Sequence, residues 1–93
     1  MQEFSTENDR VKFFKKFLIS KNYSPRTIGL YMSALLKFLK QYGRETIAVT
    51  DEEFVTYLAQ ESSTKSYSTI NLYKEVLKQY FKIIYNKKYH ISL

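Results

Sequence analysis

Apolar residues recur along this chain at three- and four-residue spacings, and no segment alternates strictly between apolar and polar positions. That is the period of an amphipathic helix with one buried stripe, and it predicts an all-α protein. Four segments carry it. The first starts near Ser5 or Thr6, places Val11, Phe14, Phe17 and Leu18 on one side with Phe13 at the margin, and fades around Ser20. The second is marked at both ends. Ser24 is placed to accept from the backbone N–H of Thr27, and Pro25 fits the first helical position, where its missing N–H has no intrahelical partner. Tyr23 is placed to staple onto Ile28, and Gly43 supplies the stop after Tyr42. Between these ends Ile28, Tyr31, Leu35, Phe38, Leu39 and Tyr42 form the expected core stripe.

A linker, RETIAV, leads to the third segment, where Thr50 and Glu53 have the spacing of a reciprocal capping box and the acids sit at the positive end of the helix dipole. It is short, with Phe54, Tyr57 and Leu58 facing inward. After the polar stretch ESSTK, a fourth helix is expected from a Ser66 cap to about Asn86, with Ile70, Tyr73, Leu77, Tyr80 and Ile84 inside. The octets SPRTIGLY and SYSTINLY, which open the second and fourth segments, share Ser, Thr, Ile, Leu and Tyr at equivalent places. One reading is that Ser-x-x-Thr before an apolar residue starts any helix well. The other is that two equivalent helix starts present N–H groups and polar faces to one extended anion.

Composition narrows the picture. With 93 residues, 44% hydrophobic and 17% aromatic, the chain has material for one core, so residues 1–93 are expected to form one domain. It has no cysteine, which excludes disulfides and thiolate metal sites, and its one histidine, His90, cannot hold a metal without carboxylate help. There is no phosphate-cradling Gly loop and no catalytic constellation. Neither cofactor nor metal is expected. The N-terminus reads MQEFSTEND, unlike a signal peptide, and no run is long enough to cross a bilayer, so a cytoplasmic location is expected.

The net charge of +6 is distributed in blocks. Residues 1–9 carry only acids; residues 10–44 carry nine cations and no acid; residues 45–61 carry five acids and no cation; the remainder carries six lysines against Glu75. Each basic block contains one of the repeated octets. Projected at 100° per residue, the second helix places Arg26, Gly29, Ser33, Lys37 and Lys40 in a stripe opposite its core stripe. Gly29 there is either merely tolerated, packed on a neighbouring helix, or kept for the close approach of another backbone such as a phosphate chain. In the fourth helix Asn71, Lys78 and Lys82 lie opposite the apolar arc, with Lys74 and Tyr85 at the flank. Asn suits paired hydrogen bonds to adenine, and Lys suits guanine acceptors or phosphates, so these residue types fit DNA; they also fit plain solvent.

The order FLISKNYSPRTIGLYMSALLKFLKQYG, then VTDEEFVTYLA, then SYSTINLYKEVLKQYFKIIYNKKY, resembles the N-terminal core-binding, SAM-like domain of tyrosine recombinases, the phage integrase family. The resemblance spans about Phe13 to Tyr89 and is most specific at Tyr23-Ser24-Pro25-Arg26-Thr27 and at Ser66-x-Ser68-Thr69-Ile70-Asn71. It implies a four-helix SAM-like orthogonal bundle that grips one side of double-stranded DNA at a recombination site, for DNA integration or recombination, while a separate catalytic domain closes on the other. Carried onto this chain, the implied DNA contacts are Arg26, Thr27, Lys37 and Lys40 on the second helix and Lys65, Ser68, Asn71, Lys74 and Lys78 at the fourth. The family's catalytic arginines, His-x-x-Arg element and nucleophilic tyrosine follow this domain. This chain ends at Leu93, so strand cleavage is expected to reside outside it, in the recombinase catalytic domain of the full-length protein, with the isolated domain monomeric.

Two rivals make different predictions. A helical protein-interaction module explains the bundle and the acidic third helix without DNA. A membrane-surface role for the basic first helix competes with the need for Phe13, Phe14, Phe17 and Leu18 in the core, and no membrane partner is expected.

Overall fold

The computed structural model of the chain describes residues 6–43 and 45–87. Ser5, the alternative start of the first helix, and His90 lie outside the described residues. Four α-helices follow one another, α1 (Glu7–Ser20), α2 (Pro25–Tyr42), α3 (Asp51–Ser62) and α4 (Tyr67–Tyr85), with a 3₁₀ turn over Thr46–Ala48 between α2 and α3. No strand occurs among the described residues.

Local chemistry sets the helix ends. Thr6 caps α1 by accepting from the Asp9 N–H at 3.1 Å. In α3 the Thr50 hydroxyl accepts from the Glu53 N–H and the Glu53 carboxylate accepts from the Thr50 N–H, both at 3.1 Å, closing the capping box. Ser24 and Ser66 make the same cap. Each accepts from the N–H three residues on, at 3.2 and 3.3 Å, and each donates its hydroxyl to the following Thr27 or Thr69 side chain at 3.0 and 3.1 Å. The two octets thus build one cap twice, each worth about 1 kcal/mol. Gly43 ends α2 at φ 68°, and Asn86 ends α4 at φ 56°, the left-handed conformation that glycine and asparagine accept at lowest cost.

α4 is the hub, packed against α1, α2 and α3. Its Val76, Leu77, Tyr80 and Phe81 are fully enclosed, together with Phe14 and Leu18 of α1, Leu35 of α2, and Phe54 and Leu58 of α3. Rings meet edge-on through this centre: Phe14 on Tyr80 at 5.3 Å, Phe38 on Tyr57 at 4.9 Å and Phe54 on Phe81 at 5.7 Å between centroids.

The expected stripes hold at their centres and shift at their edges. Ile28, Tyr31, Leu39 and Tyr42 of α2, and Tyr73 of α4, are only partly buried, whereas Ala34, Val76 and Phe81, absent from the expected stripes, are enclosed. A helix in contact with two or three neighbours buries a wider and rotated arc than one apolar stripe implies. Tyr23 lies against Tyr31, ring centroids 5.5 Å apart, above the start of α2.

Candidate nucleic-acid interface

The polar stripe of α2 stands clear of the core. Arg26, Gly29, Ser33 and Lys40 are exposed, Lys37 is partly exposed, and Ser33, Leu36, Lys37, Lys40 and Gln41 surround one shallow depression. A Cβ added at Gly29 would meet no atom within 4 Å. Packing of Gly29 on a neighbouring helix is thereby excluded, and the stripe is open at that point. Thr27 is partly buried and is engaged in the Ser24 cap.

On the α4 side Lys65, Ser68 and Asn71 are exposed, and Lys74 and Lys78 are partly buried along their stems. Ser68 sits 3.3 Å from the Ser66 capping hydroxyl, so the helix start presents a cluster of hydroxyls beside Lys65. Exposed Glu75 interrupts the stripe. Among the described residues, none of Arg26, Lys40, Lys65, Lys74 and Lys78 takes part in an ion pair, and no hydrogen bond or ion pair joins the α2 candidates to the α4 candidates.

Lys37 differs from the rest. Its ammonium lies 3.3 Å from Oε1 of Glu61 on α3, a carboxylate whose side chain is only 11% exposed. The approach is off the hydrogen-bonding direction, so Glu61 Oε1 and the hydroxyl of Tyr57, one helical turn earlier, are both buried without a hydrogen-bond partner. Burial first, and then the Glu61 charge, push the Tyr57 phenol well above its ordinary range. Sequence periodicity places Lys37 on the outward stripe; it carries no signal that α3 brings an acid against that stripe's flank.

A second polar centre joins α1, the 3₁₀ turn and α4. Glu7 accepts from Arg10 Nε and Nη2 at 3.3 Å and from the Thr46 hydroxyl at 3.0 Å, and it also accepts from the Tyr80 hydroxyl. Arg10, 7% exposed, also donates to Glu45 and lies over the Tyr85 ring, 5.8 Å from its centroid. The Tyr85 hydroxyl is 2.6 Å from that of Thr46. Burial alone would raise the Glu7 pKa, but the hydrogen bonds from Arg10, Tyr80 and Thr46 outweigh it and hold the carboxyl below its ordinary range. Two sequence expectations change here. Arg10, counted with the first basic block, is withdrawn from the surface, and Tyr85, placed at the flank of the α4 polar stripe, serves this clasp instead. The Glu7–Arg10 pair has the three-residue spacing of a helical ion pair. Nothing local signals its partners from the 3₁₀ turn and α4.

No group of three or more acidic or histidine side chains placed to hold a metal occurs among the described residues, and no described helix is long and apolar enough to cross a membrane. Comparisons with curated proteins and with solved structures returned no match. The family model of the phage integrase N-terminal SAM-like domain matches residues 11–91, taking in α1 from Val11 onward and the whole of α2, α3 and α4. On that match, and with an all-α four-helix fold to accompany it, the chain belongs to the family of phage integrase N-terminal SAM-like domains.

Proposed function

We propose that this domain grips duplex DNA through the polar stripes of α2 and α4, as the core-binding module of a tyrosine recombinase whose strand cleavage is carried out by a separate catalytic domain. The observation that carries the reading is the state of the cations. Arg26, Lys40, Lys65, Lys74 and Lys78 remain outside any ion pair among the described residues, on two helices started by the same Ser-x-x-Thr cap. Such cations neutralise phosphates and set the register of the protein on the duplex, and exposed Asn71 is suited to an adenine edge. Lys37 enters this set only by leaving Glu61. Arg26 and Lys40 lie fourteen residues apart on one helix, about 21 Å of rise, enough to follow several phosphates along a groove wall.

Titration of duplex binding against salt tests this. Five phosphates neutralised predict that log affinity falls with log salt at a slope of about −4 to −5. Charge reversal at Lys40 and Lys78 is expected to weaken binding strongly without unfolding, whereas the same reversal at Lys12 and Lys16 of α1, with an equal change in net charge, weakens it much less. A slope near zero favours the protein-interaction rival. Equal losses from the two double variants would reduce the attraction to diffuse net charge.

A further inference from the structure

The outward arc of α2 carries two large apolar side chains that the core does not use. Leu30 is 49% exposed and Leu36 is 51% exposed. At 100° per residue they flank the outermost position, Ser33, by about 60° on either side, and they are about 9 Å apart along the helix axis. Scattered exposed leucines on a surface need no explanation. These two share one arc with exposed Arg26 and Lys40, and that mixture restricts what can cover it. A bilayer or a core-like obligate protein interface would need a contiguous apolar patch, and here Ser33, Lys40 and Arg26 break the patch into single side chains. Duplex DNA offers the matching pattern. Phosphates line the rim of its major groove, the base edges are polar, and the one apolar group projecting from the floor is the C5 methyl of thymine. About 9 Å corresponds to two or three base-pair steps.

We infer that Leu30 and Leu36 are specificity-determining residues that select thymine in the major groove by packing on its C5 methyl group, while Arg26 and Lys40 hold the flanking phosphates. This rests on the DNA-binding reading above. It assigns the α2 stripe a share of base selection in addition to phosphate neutralisation.

The test compares an alternating dA·dT duplex with its dA·dU counterpart, which keeps every phosphate and every Watson–Crick edge and lacks only the thymine methyls. The 93-residue chain is expected to bind the dT duplex roughly three- to tenfold more tightly. A Leu30→Ala/Leu36→Ala double variant is expected to bind both duplexes equally, near the wild-type affinity for the dU form, with an unchanged salt slope. Both positions are half-exposed and alanine favours helix, so the fold should survive; should the double variant melt early, the single variants are each expected to lose part of the preference. Equal binding of the two duplexes by the wild type, or a preference that persists in the double variant, overturns the inference and leaves the phosphate contacts standing. Absence of binding to either duplex overturns the DNA-binding reading itself. Self-association of the wild type that the leucine variants abolish would assign the arc to a second copy of the chain and would also overturn the inference.

Discussion

Among the described residues, the carboxylates of Glu7 and Glu61 are both drawn in against the fold and are treated differently. At the Glu7 clasp the carboxylate collects donors from Arg10, Thr46 and Tyr80, Arg10 itself reaches a second acid in Glu45, and the Tyr85 hydroxyl pairs with Thr46. At the Lys37–Glu61 contact a single misdirected approach leaves Glu61 Oε1 and the Tyr57 hydroxyl without hydrogen-bond partners. A carboxylate with several short-range donors is locked, because each partner lost leaves buried charge uncompensated. One held by a single half-exposed lysine is exchangeable. The locked site ties α1 to the turn before α3 and to the end of α4; the exchangeable one borders the stripe proposed to meet phosphate. The molecule thus spends its well-made polar network on holding α1 in place and leaves the loosely made one where a polyanion could compete for the cation.

The largest effect that would break this comparison is Glu7→Ala. It leaves buried Arg10 with Glu45 as its one remaining carboxylate partner among the described residues and removes the acceptor of Tyr80 and of Thr46, so a loss of about 2–4 kcal/mol is expected in urea unfolding. A loss under about 1 kcal/mol would mean that the clasp behaves as an exposed ion pair. The same site predicts the acid limb of stability. The Glu7 carboxyl is held below its ordinary value of 4.5, so its contribution is present above that value and is lost as pH falls through the lower, folded-state value. The alkaline limb has the opposite origin. The phenols of Tyr57 and Tyr80 are raised above their ordinary 10.0, chiefly by burial, so their titration leaves the unfolding free energy unchanged below that value and lowers it as pH rises past it. Unfolding free energy measured across pH should show both limbs, and Glu7→Ala should flatten the acid one.

A sharper contrast comes from one chemical change made at both sites. Tyr80→Phe removes a donor to Glu7 and is expected to cost about 1–3 kcal/mol. Tyr57→Phe removes a buried hydroxyl that has no partner and is expected to be neutral or to stabilise by up to about 1 kcal/mol. Equal costs at the two positions would erase the distinction between locked and exchangeable.

The smallest expected effect is the most specific. Glu61→Gln releases Lys37 to the α2 stripe and removes a negative charge from its flank. Stability should change by about 1 kcal/mol or less, while DNA affinity should rise and the salt slope should steepen by about 0.9, the share of one further phosphate contact. An unchanged slope would show that Lys37 stays outside the interface.

Much of this architecture is written locally. The caps at Thr6, Ser24, Thr50 and Ser66 and the left-handed stop at Gly43 depend on residues within a few positions of one another, which is why the helix ends are legible in the sequence. Phe14, Leu35, Leu58 and Leu77 are likewise buried as their spacing predicts, because the centre of an apolar stripe faces the core whichever neighbour covers it. The candidate stripe of α2 is legible for the same reason from the opposite side. Its cations lie where the apolar residues do not.

The flanks were decided by tertiary packing. Periodicity gives a side chain's angle about its own helix axis and is silent on what lies beside it. Lys37 and Lys40 read alike in sequence, yet α3 brings Glu61 against the first and leaves the second without an ion pair among the described residues. Arg10 reads as one more surface cation until Glu45, 35 residues on, and the ring of Tyr85 close over it. Glu7 meets Tyr80 across 73 residues. Hydrogen bonds over such separations depend on how the helices cross, and the crossing is set by the shapes of many packed side chains together. The sequence by itself therefore determined which residues form the helices, where each helix ends and which face is wet. Only the tertiary structure decided which charges on the wet faces remain available to a partner, because that depends on what the fold sets beside them.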